Sequence, residues 1–308
     1  METITKEGII KALKSVGVRR GQIIYLQSSL YSLGKIEGIK TREEFCKIYY
    51  ESIFELIGKE GTLVVPTYTT QVARFDIDFI WEETPSLMGT FSEYIRCHPE
   101  SLRSMHPLKS VTAIGKNKAF ICKDNGTSDY GWDSPFHRML IKKSKILTMG
   151  LPSIYVVGIA HHLEAACCLP YVYNKLLKWS PVIYGKRDKK LYFATVRYLD
   201  LNIEYDLTLW VKHLRRLGGI KSTKLGGGKI YLSDYEQVFT EGSKKIKENP
   251  CYFLKQPPNF KYGKIPFDGP TARKDNVASK SDMAKLKAMN WKGYYLLNKN
   301  IHVVDDEW

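Results

Sequence analysis

The chain has 308 residues, of which 44% are hydrophobic and 26% are charged, and its formal net charge is +15. A chain of this length can bury the core of one large domain. It has no stretch of 18 apolar residues, which excludes a membrane-spanning helix, and its N-terminus lacks the apolar segment and cleavage site of a signal peptide. We therefore expect a cytoplasmic protein.

The first third of the chain alternates between helical and strand patterns. Apolar residues at helical spacing predict a helix over residues 4–17, and QIIYLQSS then predicts a short strand. Residues 42–58 are amphipathic and end on a glycine, which predicts a second helix. GTLVVPTYT, from residue 61, is typical of a buried strand. This order favours an α/β fold, in which a mixed central sheet is flanked by helices in α-β-α layers.

The middle of the chain continues this mixture. Helices are predicted over residues 87–97, 134–143 and 159–168, and strands over residues 111–115, 145–151 and KLYFATVRYLDL. LGGGK at 225–229 lacks the spacing of a phosphate-binding P-loop and predicts a turn before the strand KIYL. A further helix is predicted over 231–250, with Ser233 as its N-cap and Glu236 completing a capping box.

The composition changes near Lys255. The segment that follows is rich in Pro, Gly and Lys and poor in aliphatic residues, which is typical of an extended arm. A short helix is predicted within it, over residues 281–297. We therefore divide the chain into a catalytic domain, 1–254, and a partly irregular C-terminal arm, 255–308.

The cysteines and the charge limit the possible functions. The six cysteines, at positions 46, 97, 122, 167, 168 and 251, form no C-x-x-C pair, so we expect free thiols and no metal site. Residues 175–230 carry 13 Lys and Arg against 4 Asp and Glu. No nucleic-acid-binding signature accompanies this excess, so nucleic acid is an unlikely partner. An anionic small molecule or partner surface would explain it equally well.

Five short motifs occur in one order along the chain: LQSSLYSLG from residue 26, MGTF from 88, RSMHPLKS from 103, GWDSP from 131 and HHLE from 161. Together they resemble the aminoglycoside 3-N-acetyltransferase family, over about residues 5–254. The resemblance implies an enzyme that transfers an acetyl group from acetyl-CoA to an amine of a sugar-like substrate, without a metal ion.

The turn after the first strand is the candidate cofactor site. Backbone N–H groups in a serine- and glycine-containing turn suit phosphate oxygens. The resemblance implies that Ser28, Ser29 and Leu30 cradle the coenzyme A pyrophosphate, and that Ser110 and Val111 begin a strand whose edge runs beside the pantetheine arm. Gln27 stands where many family members have histidine, which leaves that position without a predicted role.

His161 and Glu164 are the candidate catalytic residues. Their spacing of three places both on one face of the predicted helix. Acyl transfer to an amine needs a base, and a histidine oriented by a carboxylate is suited to that task near neutral pH. The resemblance implies that His161 is the base and Glu164 its partner. His162 is the alternative base; it points about 100° away on an ideal helix.

Other polar residues have weaker functional interpretations. His106, before Pro107, is a candidate for the substrate side of the site or for a supporting position. Asp133 and Ser134 open a predicted helix, and an N-cap explains them without a catalytic role. Cys167 and Cys168 lie within helical reach of Glu164, so an acyl-cysteine route is conceivable, although no neighbouring cation pattern favours it.

The charge decides our expectation for the acceptor. Aminoglycosides are polycations, whereas this chain is strongly basic, so the favoured acceptor is a nucleotide-linked amino sugar used in surface glycan synthesis. Acetylation of an aminoglycoside antibiotic is the first alternative. A homologue that binds coenzyme A or a protein partner without catalysis is the second. A homo-oligomer is possible.

Overall fold

A computed structural model describes residues 2–75, 77–198, 201 and 203–260, together with the backbone of two short strands in the C-terminal arm. The α-helices of these residues are α1 (Lys6–Val16), α2 (Arg42–Ile57), α3 (Gln71–Phe75), α4 (Thr90–Arg96), α5 (Lys118–Cys122), α6 (Pro135–Ile141), α7 (Ala160–Cys167), α8 (Thr208–Arg216) and α9 (Tyr235–Glu248). Two 3₁₀-helices span Leu30–Ser32 and Ser153–Val157.

The strands are short, and most of the longer ones lie in one sheet. In chain order they are β1 (Thr3–Ile4), β2 (Ile23–Ser28), β3 (Lys35–Ile36), β4 (Thr62–Pro66), β5 (Leu102–Arg103), β6 (Val111–Gly115), β7 (Lys145–Met149), β8 (Val172–Leu176), β9 (Val182–Ile183), β10 (Lys186–Arg187), β11 (Phe193–Arg197), β12 (Ile220–Leu225), β13 (Gly228–Asp234), β14 (Val277–Ser279) and β15 (His302–Val304).

The central sheet is mixed, as predicted. Its strand order is β12-β13-β7-β2-β4-β6-β5. β2 runs parallel to both of its neighbours, β7 and β4. The remaining neighbours pair antiparallel: β12 with β13, β13 with β7, β4 with β6, and β5 with β6.

Successive residues of the inner strands point to opposite faces of the sheet, and each face is covered by helices. Tyr25 belongs to a core cluster that also contains buried residues of α5 to α9. Its neighbours Ile24 and Leu26 belong to a second cluster, with residues of α1, α2 and α4. These two apolar cores confirm the α-β-α arrangement, because a strand buried on both faces needs a helical layer on each side.

Local signals account for the helix ends that the sequence predicts. Gly17 ends α1 with a φ of 101°, a left-handed conformation that glycine adopts without strain. Thr41 begins α2 with a capping box, in which its side chain accepts from the backbone N–H of Glu44 and the Glu44 carboxylate accepts from that of Thr41. Such a cap stabilises a helix by about 1 kcal/mol.

The predicted start of the last helix is wrong. Ser233 lies within β13, where it pairs with Ile146 of β7, and it is not an N-cap. The cap of α9 is Asp234, whose carboxylate accepts from the backbone N–H groups of Glu236 and Gln237. Pairing with β7 holds residues 231–234 in the sheet, and this long-range contact overrides the local capping pattern.

A hairpin of β8 and β11 lies outside the central sheet. Its core is a separate apolar cluster that includes Phe79, Leu108, Trp179 and Tyr192. The hairpin follows α7 directly in the chain, and this position gives it a part in the site described below. The sequence predicted only β11.

The C-terminal arm is described only in part. Residues 255–260 are described, and β14 pairs parallel with β15. The helix predicted over residues 281–297 lies outside the described residues. The boundary at residue 254 therefore stays a prediction.

The glycine-rich segment at 225–229 forms the predicted turn, which joins β12 to β13. It packs against the loop that follows the 3₁₀-helix after β2. The backbone N–H of Gly227 donates to the carbonyl of Leu33 over 2.8 Å. A Cβ atom at Gly226 would lie 1.8 Å from the same carbonyl oxygen, and the φ of Gly226 is +53°. A side chain at this position therefore conflicts with the backbone.

We expect Gly226→Ala to lower the free energy of unfolding by about 3 kcal/mol or more, because the new methyl group must displace the backbone of Leu33. Urea unfolding measures the change. Gly185→Ala is the matched control, because its φ of +75° is also left-handed but no atom lies within 4 Å of the added Cβ. Equal losses in the two variants would contradict the contact as the cause.

Candidate active site

His161 and Glu164 meet on α7. The Nδ1 atom of His161 lies 2.6 Å from Oε2 of Glu164. The His161 side chain is 49% exposed, whereas that of Glu164 is 1% exposed. The predicted contact is confirmed. The structure also gives the orientation of the pair: the carboxylate is buried and the imidazole faces the solvent. The Nε2 atom of His161 has no hydrogen-bond partner among the described residues.

His162, the alternative base, is part of the core. Its Nδ1 atom lies 2.9 Å from the hydroxyl of Tyr235, and its ring packs against Phe239 with a centroid distance of 4.8 Å. Burial lowers the pKa of His162 to about 3, so the ring is neutral near pH 7. Of the two neighbouring histidines, only His161 is exposed enough to meet a substrate.

Aromatic residues surround the His161 imidazole. The ring of Tyr130 lies 5.6 Å from it, centroid to centroid, and that of Tyr205 lies 5.7 Å from it at an interplanar angle of 84°. Burial is the larger cause, and the negative charge of Glu164 a further one, of the raised pKa of Tyr171 and Tyr205. Both phenols are therefore protonated and lie near the carboxylate.

The sequence did not point to these tyrosines. Tyr130 precedes α6, Tyr171 precedes β8, and Tyr205 precedes α8, so folding brings together residues that are far apart in the chain. Nothing in their local sequence separates them from the other tyrosines among the 20 in the chain. Only the tertiary structure identifies them.

A buried aspartate holds the loop that carries Tyr130. The carboxylate of Asp129 accepts from the backbone N–H of Thr195 over 3.0 Å and from that of Tyr130 over 2.8 Å. Burial raises the pKa of Asp129 to about 6, while these hydrogen bonds oppose the shift. Asp129 thus ties this loop to β11 of the outer hairpin.

His106 is buried beneath the same hairpin. Its Nε2 atom lies 2.9 Å from the carbonyl oxygen of Phe193, and its Nδ1 atom accepts from the backbone N–H groups of Leu108 and Lys109. The carbonyl must accept, so Nε2 carries the proton and the ring is neutral. Burial lowers its pKa to about 4. These contacts suit the supporting position rather than direct contact with a substrate, and the role of His106 stays a prediction.

The turn after β2 offers hydrogen-bond donors. Ser28 ends the strand, and a 3₁₀-helix begins at Leu30. Neither the Ser28 nor the Ser29 hydroxyl has a hydrogen-bond partner among the described residues. The N–H groups of Leu30 and Tyr31 open the 3₁₀-helix, where a helix has no acceptor of its own for them. Two hydroxyls and two amides form a donor set that suits an anionic or amide-containing ligand.

Gln27 connects this turn with the segment before α7. Its side-chain amide donates to the carbonyl of Tyr155 over 3.0 Å. A Cβ atom at Gly158 would lie 2.0 Å from the same amide nitrogen, so glycine is needed at this contact. The end of β2 therefore lies against the chain two residues before α7 begins, which brings the cofactor turn and the His161 helix to one edge of the sheet.

Val111 begins β6, and Ser110 directly precedes it. β5 pairs with β6 on the side away from β4. The backbone N–H of Val111 donates to the Ser104 hydroxyl, and its carbonyl accepts from the N–H of Ser104. The Ser110 hydroxyl donates to the carbonyl of Thr67. Contact of Ser110 and Val111 with the pantetheine arm stays a prediction.

Two weaker candidates have structural explanations. Ser134 caps α6 by accepting from the backbone N–H of His137, and Asp133 forms an ion pair with Arg138 at 2.7 Å. Burial is the largest cause of the raised pKa of Cys167, which disfavours its thiolate. Cys168 ends α7 in a left-handed conformation with a φ of 49°. None of these contacts favours an acyl-cysteine route.

The residues that the structure describes contain no group of three His, Cys, Asp or Glu side chains arranged to hold a metal ion. Within the same residues, no helix combines the length and the apolar character that crossing a membrane requires. The groups that the structure brings together at this edge of the sheet are the imidazole–carboxylate pair, the phenols and the donors of the turn.

The sequence matches the family profile described as aminoglycoside 3-N-acetyltransferase over residues 25–247. It is 27% identical over 242 residues to the SPbeta prophage-derived aminoglycoside N(3')-acetyltransferase-like protein YokD of Bacillus subtilis (strain 168), a match that covers 71% of this chain and 85% of that protein. The fold is similar to AAC-IIIb in its binary complex with CoASH, with a TM-score of 0.67 and 16% identity over 83% of this chain and 100% of that chain. It is also similar to AAC-VIa bound to sisomicin, with a TM-score of 0.64 and 20% identity over 79% and 97% of the two chains.

The two structural similarities show a shared fold, since their sequence identities are low. The family profile carries the assignment, because it spans well over half of the chain and includes the turn after β2, α7 and α9. It also agrees with the order of the five sequence motifs. The chain belongs to the aminoglycoside 3-N-acetyltransferase family, and it is an acyltransferase.

Proposed function

We propose that the protein transfers the acetyl group of acetyl-CoA to an amine of an aminoglycoside, with His161 as the general base. The observation that carries the proposal is the half-exposed imidazole of His161, held at 2.6 Å by the buried carboxylate of Glu164. This is the arrangement that a base needs when it must be oriented from one side and reach a substrate from the other.

The hydrogen bond between His161 and Glu164 determines which nitrogen of the imidazole carries the proton. Glu164 accepts from Nδ1–H of His161, so the lone pair of the neutral ring lies on Nε2. Nε2 takes the proton that the acceptor amine loses as its nitrogen bonds to the acetyl carbon, and the C–S bond of the thioester breaks, so that coenzyme A leaves as a thiolate, which regains a proton to give the thiol. The carboxylate then stabilises the imidazolium that results. A positioned base of this kind contributes a rate factor of about 10² to 10⁴.

The turn after β2 supports a coenzyme A site. Ser28, Ser29 and Leu30 would hold the coenzyme through the two free hydroxyls and the first amides of the 3₁₀-helix. Acetyl-CoA supplies the thioester-bound acetyl group. The contact between Gln27 and Gly158 fixes this turn relative to α7, so the donor side and the base are held by one rigid connection.

The acceptor preference drawn from net charge is not supported. Net charge sums over the whole surface and says nothing about the charge at the reacting atoms. Several basic side chains are engaged in ion pairs outside the site, among them Arg187 with Asp78 and Lys244 with Glu241. The family match and the sisomicin-bound relative support an aminoglycoside as the acceptor. A cytoplasmic location and a homo-oligomer stay predictions.

We expect the purified protein to release thiol from acetyl-CoA with aminoglycosides such as kanamycin or sisomicin. His161→Ala should reduce turnover about 10²-fold or more, because the base is removed. The assay pairs these amines with nucleotide-linked amino sugars. Turnover of nucleotide sugars alone would contradict the proposed acceptor, whereas no turnover of any amine would contradict the proposed function and favour the non-catalytic alternative.

The control for this assay is His98→Ala, since His98 lies after α4, outside the proposed site. Its activity should equal that of the wild type. Binding of coenzyme A to His161→Ala, measured by calorimetry, should also be unchanged, because the residues proposed to hold the coenzyme are intact. A loss of coenzyme binding in this variant would show that the ring has a role other than the base.

We expect Glu164→Gln to lower kcat about 10²-fold to 10⁴-fold, because a neutral amide does not stabilise the imidazolium and can favour the wrong tautomer. The acetyl-CoA KM should change little. Steady-state kinetics with one aminoglycoside measure both constants. A kcat within twofold of the wild type would contradict the role of the carboxylate.

A further inference from the structure

The buried carboxylate of Glu164 uses only one of its two oxygens in the contact with His161. Oε2 lies 2.6 Å from the His161 ring, while Oε1 is buried and has no hydrogen-bond partner among the described residues. A buried ionised carboxylate without donors on one side is costly, since it has lost its hydration there. Groups near Oε1 therefore control how easily the carboxylate stays charged.

Two phenols lie next to this carboxylate. Tyr171 is fully buried, and its hydroxyl, like Oε1, has no hydrogen-bond partner within the described part of the chain. Tyr171 follows α7 closely in the chain. Two residues before it, the backbone N–H of Leu169 donates to the carbonyl of Glu164, which holds this segment against the end of α7. A buried phenol without an acceptor and a buried carboxylate oxygen without a donor are the complementary halves of one hydrogen bond.

Tyr205 approaches from another part of the chain. It forms a β-bridge with Leu254, and its ring meets the His161 ring edge to face at 5.7 Å. The guanidinium of Arg197 lies 5.8 Å from the centroid of the Tyr205 ring. Tyr205 therefore lies close to two groups of the site, the imidazole of His161 and the guanidinium of Arg197 in β11.

The electrostatics of the two phenols supports their placement. After burial, the charge of Glu164 is the next cause of the raised pKa of both tyrosines. A phenol whose pKa is raised keeps its proton at neutral pH. Each hydroxyl can therefore donate to the carboxylate.

We propose that Tyr171 and Tyr205 are positioning residues for the base: their hydroxyls donate to Glu164 and keep this buried carboxylate ionised and aligned beside His161. The inference rests on the proposed function, in which His161 accepts the proton. It assigns no contact between the phenols and the reacting atoms. Their effect reaches the substrate through the His161–Glu164 pair.

The sign of the pH effect follows from the charge of the pair. The pair is active when the imidazole is neutral and Glu164 is ionised. Phenol donors stabilise this form, so their removal makes the pair bind a proton more tightly, and the acidic limb of the pH–rate profile moves to higher pH. The charged and titratable groups of the described residues that face the pair or its two tyrosines are Arg197, Tyr130 and Cys251, and Asp129 in turn lies beside Tyr130.

The experiment compares Tyr205→Phe and Tyr171→Phe with the wild type, using one aminoglycoside over a range of pH. We expect the acidic limb of kcat/KM to move up by about half to one pH unit in each variant. Activity near the top of the profile should be kept to within about tenfold, since the base is present. An unchanged limb in both variants would overturn the proposal.

Tyr49→Phe is the matched control, because Tyr49 is a fully buried tyrosine of α2 whose hydroxyl has no partner among the described residues. Its profile should match that of the wild type. Tyr205 is less buried than Tyr171, so Tyr205→Phe decides the question if Tyr171→Phe does not fold. If the acidic limb of the pH–rate profile also moves in Tyr49→Phe, the shift is a general effect of losing a phenol. That result would overturn the positioning role of Tyr171 and Tyr205.

An NMR titration of the His161 ring separates this inference from the proposed function. It reports proton uptake by the pair whether or not any amine is acetylated. A midpoint that rises in Tyr205→Phe supports the positioning role, even in a protein without turnover, in which case the proposed function alone fails. A midpoint that equals that of the wild type overturns the positioning role, even where turnover is observed.

Discussion

The arrangement of the site depends on the burial of one charged group, the carboxylate of Glu164. A carboxylate that is 1% exposed has lost nearly all of its hydration, and nearby hydrogen-bond donors must compensate for that loss. His161 supplies one donor on the solvent side. The inner side is formed by groups from outside α7, so the helix and its surroundings must fit together before the pair has its chemical properties.

That requirement explains why the outer hairpin and the loop before α6 belong to the site. Asp129 ties the loop of Tyr130 to β11, and His106 bonds the carbonyl of Phe193 in the same strand. Both are buried polar residues with satisfied hydrogen bonds, and such networks fix backbone positions more firmly than apolar contact alone. Asp129 thereby fixes the backbone of Tyr130, whose ring lies against that of His161.

A close contact joins the turn after β2 to the segment that precedes α7. The Gln27 amide occupies the space that a side chain at Gly158 would need, and it donates to the carbonyl of Tyr155. Gln27 stands where many family members have histidine, and it had no predicted role. The structure gives it a structural role at this contact. The same comparison limits the use of net charge. The positive charge of the chain is a property of its whole surface, and the acceptor preference drawn from it is not supported.

The sequence by itself determined the layered α/β fold, the turn after the first strand and the spacing of His161 and Glu164. These features follow from local patterns in the sequence, such as the periodic spacing of apolar residues, a glycine in a turn, or two residues three positions apart on a helix. The order of five motifs added the family. Local patterns failed where a distant partner decided the outcome. Ser233 is in a strand because β7 pairs with it.

Only the tertiary structure decided which histidine faces solvent and which tyrosines surround it. The sequence left His162 as an alternative to His161, and the packing of α9 against α7 buries His162 beside Tyr235. Tyr205 lies against the His161 ring although it is far from α7 in the chain, because the chain returns to α7 after the outer hairpin. The charge state of a buried group depends on every atom around it, and those atoms come from segments whose meeting no local pattern encodes.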